Sequence, residues 1–226
     1  MQVREFTLVE APIYQGQRHF GTALGPAFLK QCLLDQNFHF NSRTITAKQS
    51  QKNLNTQAYQ NLAQVCEEEF REGNFLFVVG GDHSLAYGSI QGLLNCDPDL
   101  KVLWIDAHGD INTRESSLTG AFHGMPLAFL MGADEFGRDY FKKNYLKPEN
   151  LIYFGVRDLD AAEKSFLVEN KITIQSRLNE AVDILDIAKV KHLDALKKEV
   201  NSSDLDNWKL GGYSNAFGIE ITSTNK

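Results

Sequence analysis

Short apolar runs that stop abruptly at polar clusters constrain this chain more than any other feature. FLFVV at 75–79 runs into GGDHS at 80–84, and KVLWI at Lys101–Ile105 runs into DAHGD at 106–110. Such uninterrupted runs suit strands buried on both faces, as in a parallel sheet covered by helices. The rest of the chain continues the alternation. Residues 6–9 predict a first strand. A Gly-rich loop over 11–26 opens a helix over 27–34, with Pro26 suited to its first turn. Residues 43–46 predict a short strand. Residues 57–72 predict a helix with Leu62, Val65, Cys66 and Phe70 on one face, stopped at Gly73. A helix to about Leu94 follows GGDHS, and another follows at 126–131. Leu151–Phe154 predicts a third buried strand, Ala161–Glu169 a helix and 171–174 a short strand. This order points to an α/β fold, a parallel sheet with helices on both faces. The length, 226 residues, fits one domain spanning 1–226.

Composition removes several function classes. The formal net charge of −6 and pI near 5.5 argue against a general nucleic-acid or anionic-membrane binder, so neither nucleic acid nor membrane is an expected partner. Cys32, Cys66 and Cys96 lie far apart and are odd in number, which suits a reducing compartment. No apolar stretch approaches the roughly 18 residues of a membrane span, and the N-terminus lacks the apolar run of a signal peptide. A soluble, cytoplasmic protein is expected.

Asp106, His108 and Asp110 stand at i, i+2 and i+4. In extended chain these alternate residues point to one side. They gather at the carboxyl end of a buried strand, where open α/β sheets bind ligands. His83 ends the preceding strong strand and reaches the same crevice if the two strands are neighbours. Two carboxylates and two imidazoles with no thiolate favour a divalent ion such as Mn²⁺ or Zn²⁺. Two ions sharing a carboxylate can hold a hydroxide that is nucleophilic at neutral pH. Taken alone, GGDHS also reads as a strand-to-helix turn capped by Asp or Ser, and DAHGD as a polar sheet-edge loop. Their joint occurrence, each after a buried strand, favours the metal reading.

VGGDHS at 79–84, IDAHGDIN at 105–112 and HGMP at 123–126 resemble the ureohydrolases, and the arginases among them most closely. GTALGP at 21–26 and GVRDLD at 155–160 also look like arginase segments, in the right order. The resemblance is strong over 6–175 and weak over 176–226. It implies a three-layer α/β/α fold of the arginase/deacetylase-like kind and two Mn²⁺ ions per subunit. It implies hydrolysis of L-arginine to L-ornithine and urea through a metal-bridging hydroxide. His83 and Asp110 match ligands of one ion, His108 a ligand of the other, and Asp106 the carboxylate between them. His123 resembles the proton-relaying histidine, a role suited to its ordinary titration range. Asn112 and Thr119 match positions that hold the amino-acid end of the substrate. Asp160 and Glu163 match carboxylates near its amino group, although acids also favour a helix's first turn on their own account. Ala121 stands where arginases commonly carry Asn. The family implies a small guanidino substrate and a homo-oligomer, trimer or hexamer.

The C-terminal part departs from the pattern. Residues 183–200 predict a helix, and the polar, Gly/Asn-rich stretch after it predicts no buried strand. Family members usually carry a Ser-x-Asp-x-Asp-x-x-Asp-Pro segment after a strand. Here SSDLD at 202–206 keeps only the Ser-x-Asp-x-Asp spacing, with Asp204 and Asp206 as the matching acids. FGIEI at 217–221 is the one later strand candidate, and Glu220 would match a guanidinium-contacting Glu. The sheet is therefore expected to have its C-terminal strands incomplete and to expose apolar surface beside 75–79 or 101–105. The alternative is a catalytically inactive homologue that binds metal or associates with other subunits.

Overall fold

The computed structural model describes residues 6–17, 20–46, 56–140, 144–175 and 219–223. Strands β1 (Phe6–Ala11), β2 (Phe40–Thr44) and β3 (Phe75–Gly80) form one parallel sheet in the order β2-β1-β3. Strands β4 (Lys101–Ile105), β5 (Leu151–Phe154), β6 (Thr173–Gln175) and β7 (Ile219–Ser223) form a second, in the order β6-β5-β4-β7. All pairs are parallel except β4 with β7. The helices are α1 (Gly25–Asp35), α2 (Thr56–Arg71), α3 (Ala86–Cys96), α4 (Pro126–Leu130), α5 (Glu135–Tyr140) and α6 (Ala161–Glu169). This is the expected α/β class.

Local chemistry sets the boundaries. Pro26 lies in the first turn of α1, and Pro126 opens α4, where a missing N–H costs no helical bond. Gly73 ends the α2 segment at φ +79°, a left-handed conformation that glycine adopts without steric cost. Helix α2 turns Ala58, Tyr59, Leu62, Ala63 and Cys66 inward and packs on α3. Burial of a side chain such as Leu62 contributes about 1.5–3 kcal/mol relative to exposure. The expected faces of Val65 and Phe70 are only partly buried.

Several expectations need correction. The strand expected at 43–46 lies at Phe40–Thr44, because Phe40 pairs in register with Phe6. The strand expected at 171–174 lies at Thr173–Gln175, paired with β5. Helix α5 carried no clear apolar period and was not expected. The main correction concerns β3. Its apolar run suggested burial on both faces, yet Phe75 is 64% and Phe77 40% exposed. Strand β3 pairs only with β1 among the described residues, so one edge and part of one face lack cover. Exposure was expected beside 75–79 or 101–105, and it falls on β3; β4 is buried at Val102, Leu103 and Trp104. The strand expected at 217–221 is β7, running antiparallel with Glu220 in register with Trp104. The helix expected at 183–200, with Asp204 and Asp206, lies outside the described residues.

Candidate metal centre

The end of β3 and the end of β4 build the site from opposite sides. After β3 the chain turns through a short 3-10 segment, His83–Leu85, capped by Asp82, whose carboxylate accepts the Ser84 N–H at 2.9 Å. The strand-to-helix turn foreseen for GGDHS is thus present, and it presents His83 inward. After β4 the 106–112 loop is tied to the start of α6. The Arg157 and Asp158 N–H groups both donate to Ala107 O at 2.9 Å, and Asp106 N donates to Phe154 O at 3.2 Å.

The strands β3 and β4 are not paired neighbours among the described residues, yet their ligand-type side chains meet. His83 Nδ1 lies 2.7 Å from Asp110 Oδ2 and 3.1 Å from Asp106 Oδ2. The other Asp106 oxygen, Oδ1, faces His108, 3.2 Å from Nδ1, and accepts the His108 backbone N–H at 2.9 Å. Asp106 therefore divides its two oxygens between two histidines. The Trp104 indole stacks on the His83 ring, with centroids 4.3 Å apart.

These groups can hold a cation. His83 Nδ1, Asp106 Oδ2 and Asp110 Oδ2 are buried and have no hydrogen-bond partner of acceptable geometry. Orphaned buried polar atoms are rare in native proteins because each carries a desolvation cost. Ligand atoms of His83, Asp106 and Asp110 all lie within 4.8 Å of one another, the span of an ion with bonds of about 2.0–2.6 Å. The donor set, imidazole plus carboxylates, suits a borderline or hard divalent ion. Without an ion, the two carboxylates favour a proton on His83. Burial works to lower the His83 pKa, but the Asp106 and Asp110 carboxylates outweigh it and raise it. Burial works to raise the Asp106 carboxyl, but His83 outweighs it and the net shift is downward.

A cleft of about 350 Å³ opens above this cluster. Its walls include Gln17, His83, His108, Asp110, Asn112, Thr119, His123, Asp158, Asp160 and Glu163. No lysine or arginine lines it among the described residues, so it favours a cation. His123 Nδ1 lies 3.1 Å from Gly16 O. A carbonyl only accepts, so Nδ1 donates there and Nε2 is the ring nitrogen left to other partners.

The remaining expected residues fall into two groups. Asn112 and Thr119 line the cleft. The Asn112 amide donates to Asp160 Oδ2 at 2.6 Å and accepts from Ser116 Oγ at 2.7 Å, which orients it. Thr119 Oγ1 accepts the Ala121 N–H at 3.2 Å, so its own O–H can donate outward. Asp160 and Glu163 form a capping box at the start of α6, the helix-start role that their sequence position also allowed. Glu163 is buried, and its oxygens accept from Asp160 N at 3.1 Å and Ile111 N at 3.4 Å. Burial first, then the Asp160 charge, raise its pKa. Asp160 is lowered: burial opposes this, and the Glu163 N–H and Asn112 amide prevail. Sequence reasoning missed Gln17, Trp104, Tyr153 and Asp158. Asp158, inside the GVRDLD segment, lies 3.8 Å from His108 Nε2. Trp104 and Tyr153 were hidden within strands, where an aromatic reads as core; their polar tips one or two residues before a ligand loop were the available signal.

Most of the chain resembles known proteins. The arginase family profile matches residues 4–205. An arginase of Staphylococcus aureus (strain MRSA252) is 34% identical over 185 residues, 73% of this chain and 61% of that protein. An arginase of Plasmodium falciparum (isolate 3D7) is 45% identical over 111 residues, 47% of this chain and 27% of that protein. The matched stretch thus spans between about a quarter and three fifths of these relatives' length. The crystal structure of an Entamoeba histolytica arginase in complex with L-ornithine superposes with a TM-score of 0.68 at 26% identity, covering 87% of this chain and 72% of that one.

Proposed function

This chain belongs to the arginase family, and we propose on that premise that it hydrolyses L-arginine to L-ornithine and urea with two Mn²⁺ ions. The observation that carries the proposal is the division of Asp106, with Oδ2 toward His83 and Asp110 and Oδ1 toward His108. That is the arrangement a carboxylate needs to serve two ions at once. His83, Asp106 and Asp110 would hold one ion, and Asp106 with His108 the other. A pair of divalent ions there supplies Lewis acidity and a water activated at neutral pH.

The chain's own residues do the rest. The acidic cleft draws in a cationic guanidinium. Asp160, lowered in pKa and fixed by α6, stays ionised to face an ammonium group. Thr119 O–H and the second Asn112 N–H serve the substrate carboxylate. Water adds to the guanidinium carbon and the C–N bond to the side chain breaks, so the departing nitrogen needs a proton. His123, anchored through Nδ1 to Gly16 O, offers Nε2 to carry it. Residence in the cytoplasm and assembly into a trimer or hexamer belong to the same proposal.

A second reading, metal binding without turnover, draws on the imbalance of ligands. One ion would have three protein ligands among the described residues and the other two. The test is urea release from L-arginine by the chain preincubated with Mn²⁺, beside His123→Ala and Asp106→Ala. Urea that disappears in both variants supports the hydrolase. Tight Mn²⁺ binding with no urea supports the second reading.

A further inference from the structure

The buried hydroxyl of Tyr153 has a partner that the chemistry above does not use. Tyr153 is fully buried in β5, and its O–H donates to Gly109 O at 2.5 Å. In the parallel pairing of β4 and β5, Tyr153 stands in register with Trp104. Register partners project to the same sheet face. That face thus carries two aromatic supports beneath the crevice: Trp104 under His83, and Tyr153 under the Gly109–Asp110 peptide.

The peptide that Tyr153 holds is an unusual one. Asp110 has φ +49°, a left-handed conformation that costs a non-glycine residue about 1 kcal/mol or more. The angle φ of Asp110 is measured from the plane of the Gly109–Asp110 peptide, so fixing the Gly109 carbonyl fixes the direction from which the Asp110 side chain departs. Gly109 is itself pressed against α6. A Cβ there would lie 2.6 Å from Leu159 Cδ2 and 2.8 Å from Glu163 Oε1. The peptide is thus confined by α6 on one side and tied by a hydrogen bond from β5. Leu127 N, at the start of α4, donates to Asp110 O at 3.1 Å and holds the residue's other end.

We propose that Tyr153 is a positioning residue for the metal centre: its hydroxyl, through Gly109 O, holds Asp110 in the left-handed conformation that aims its carboxylate at His83. This rests on reading the cluster of His83, Asp106 and Asp110 as a metal site. Tyr153→Phe removes the donor and keeps the ring. Two measurements test it, each against Leu103→Ala, which opens a core cavity on the face of β4 opposite Trp104 and Tyr153.

The first is made on metal-free protein. Amide resonances of Asp110 and Ile111 are expected to move in Tyr153→Phe and to stay in Leu103→Ala. Unmoved resonances in Tyr153→Phe overturn the proposal. The second is calorimetric titration with Mn²⁺. Tyr153→Phe is expected to bind about 10–100-fold more weakly, the usual effect of losing a group that orients a ligand, while Leu103→Ala keeps wild-type affinity. Equal affinity in Tyr153→Phe and wild type overturns the positioning role. Equal weakening in both variants overturns it too, because the effect would then be lost stability alone. A wild-type chain that binds no Mn²⁺ overturns the metal-site reading itself, and the metal-free measurement still decides whether Tyr153 sets the Asp110 backbone.

Discussion

Strands β3 and β4 look alike as sequence and differ as structure. Both are apolar runs that end in ligand-type clusters. Strand β4 has β5 on one edge and β7 on the other, and its Val102, Leu103 and Trp104 are buried. Strand β3 has β1 on one edge only among the described residues and leaves Phe75 and Phe77 exposed. The difference shows that a strand's own composition states a demand for cover, while its neighbours decide whether the demand is met. Both strands nonetheless contribute at their carboxyl ends, β3 through His83 and β4 through Asp106, His108 and Asp110, where position depends on the turn and not on lateral cover.

The largest expected effect is at the ligands from the two sides. Asp106→Ala on the β4 side and His83→Ala on the β3 side should each weaken Mn²⁺ binding by more than about 100-fold, beyond the range for groups outside the coordination shell. Titration that finds His83→Ala unchanged would show that β3 contributes nothing to the site. Next is the buried strand. Leu103→Ala should cost about 2–5 kcal/mol in urea denaturation; a loss under 1 kcal/mol would mean that β4 is less tightly enclosed than described.

A smaller effect distinguishes the sheets by pH. Glu10 on β1 accepts from Lys30, Ser42 and Thr44. Burial works to raise its pKa, but these partners, Lys30 foremost, bring it below the ordinary 4.5. A depressed carboxyl stabilises the fold above its unfolded pKa, and that stability is lost as pH falls through the folded value. The stability gap between wild type and Glu10→Gln should therefore be constant above about pH 5.5 and shrink below about pH 4.5; a gap that stays level down to pH 3 would contradict the shift. The smallest effect is expected at Phe75→Ala, within about 0.5 kcal/mol, since surface changes cost little. A loss of 2 kcal/mol or more would show that this side chain is covered in solution.

Much of this was legible in the sequence. The boundaries of β4, β5 and α6 follow from apolar runs and from the Asp160–Glu163 cap. His83, Asp106, His108 and Asp110 come together because short turns after strands leave their side chains little choice of direction. What was not legible depended on tertiary context. The apolar run of β3 could not announce that only β1 pairs with it among the described residues, and Tyr153 could not announce Gly109 as its acceptor. The direction of β7 was hidden because an antiparallel strand and a parallel one share the same alternation. The two roles open to Asp160 and Glu163, cap and substrate contact, were both visible; the cap is present in the structure.

The separation of the ligands between two sheets has a thermodynamic consequence. His83 follows a strand of the first sheet, and Asp106 and Asp110 follow a strand of the second, with no strand pairing between the sheets among the described residues. An ion shared by these side chains would cross-link the ends of two strands that share one core and have no ladder between them among the described residues. Ligand linkage then makes cohesion a function of ion activity: at a free concentration 100 times Kd, binding adds about 2.7 kcal/mol to the folded state. The melting temperature should rise with the logarithm of Mn²⁺ concentration, and a chelator should reverse that rise.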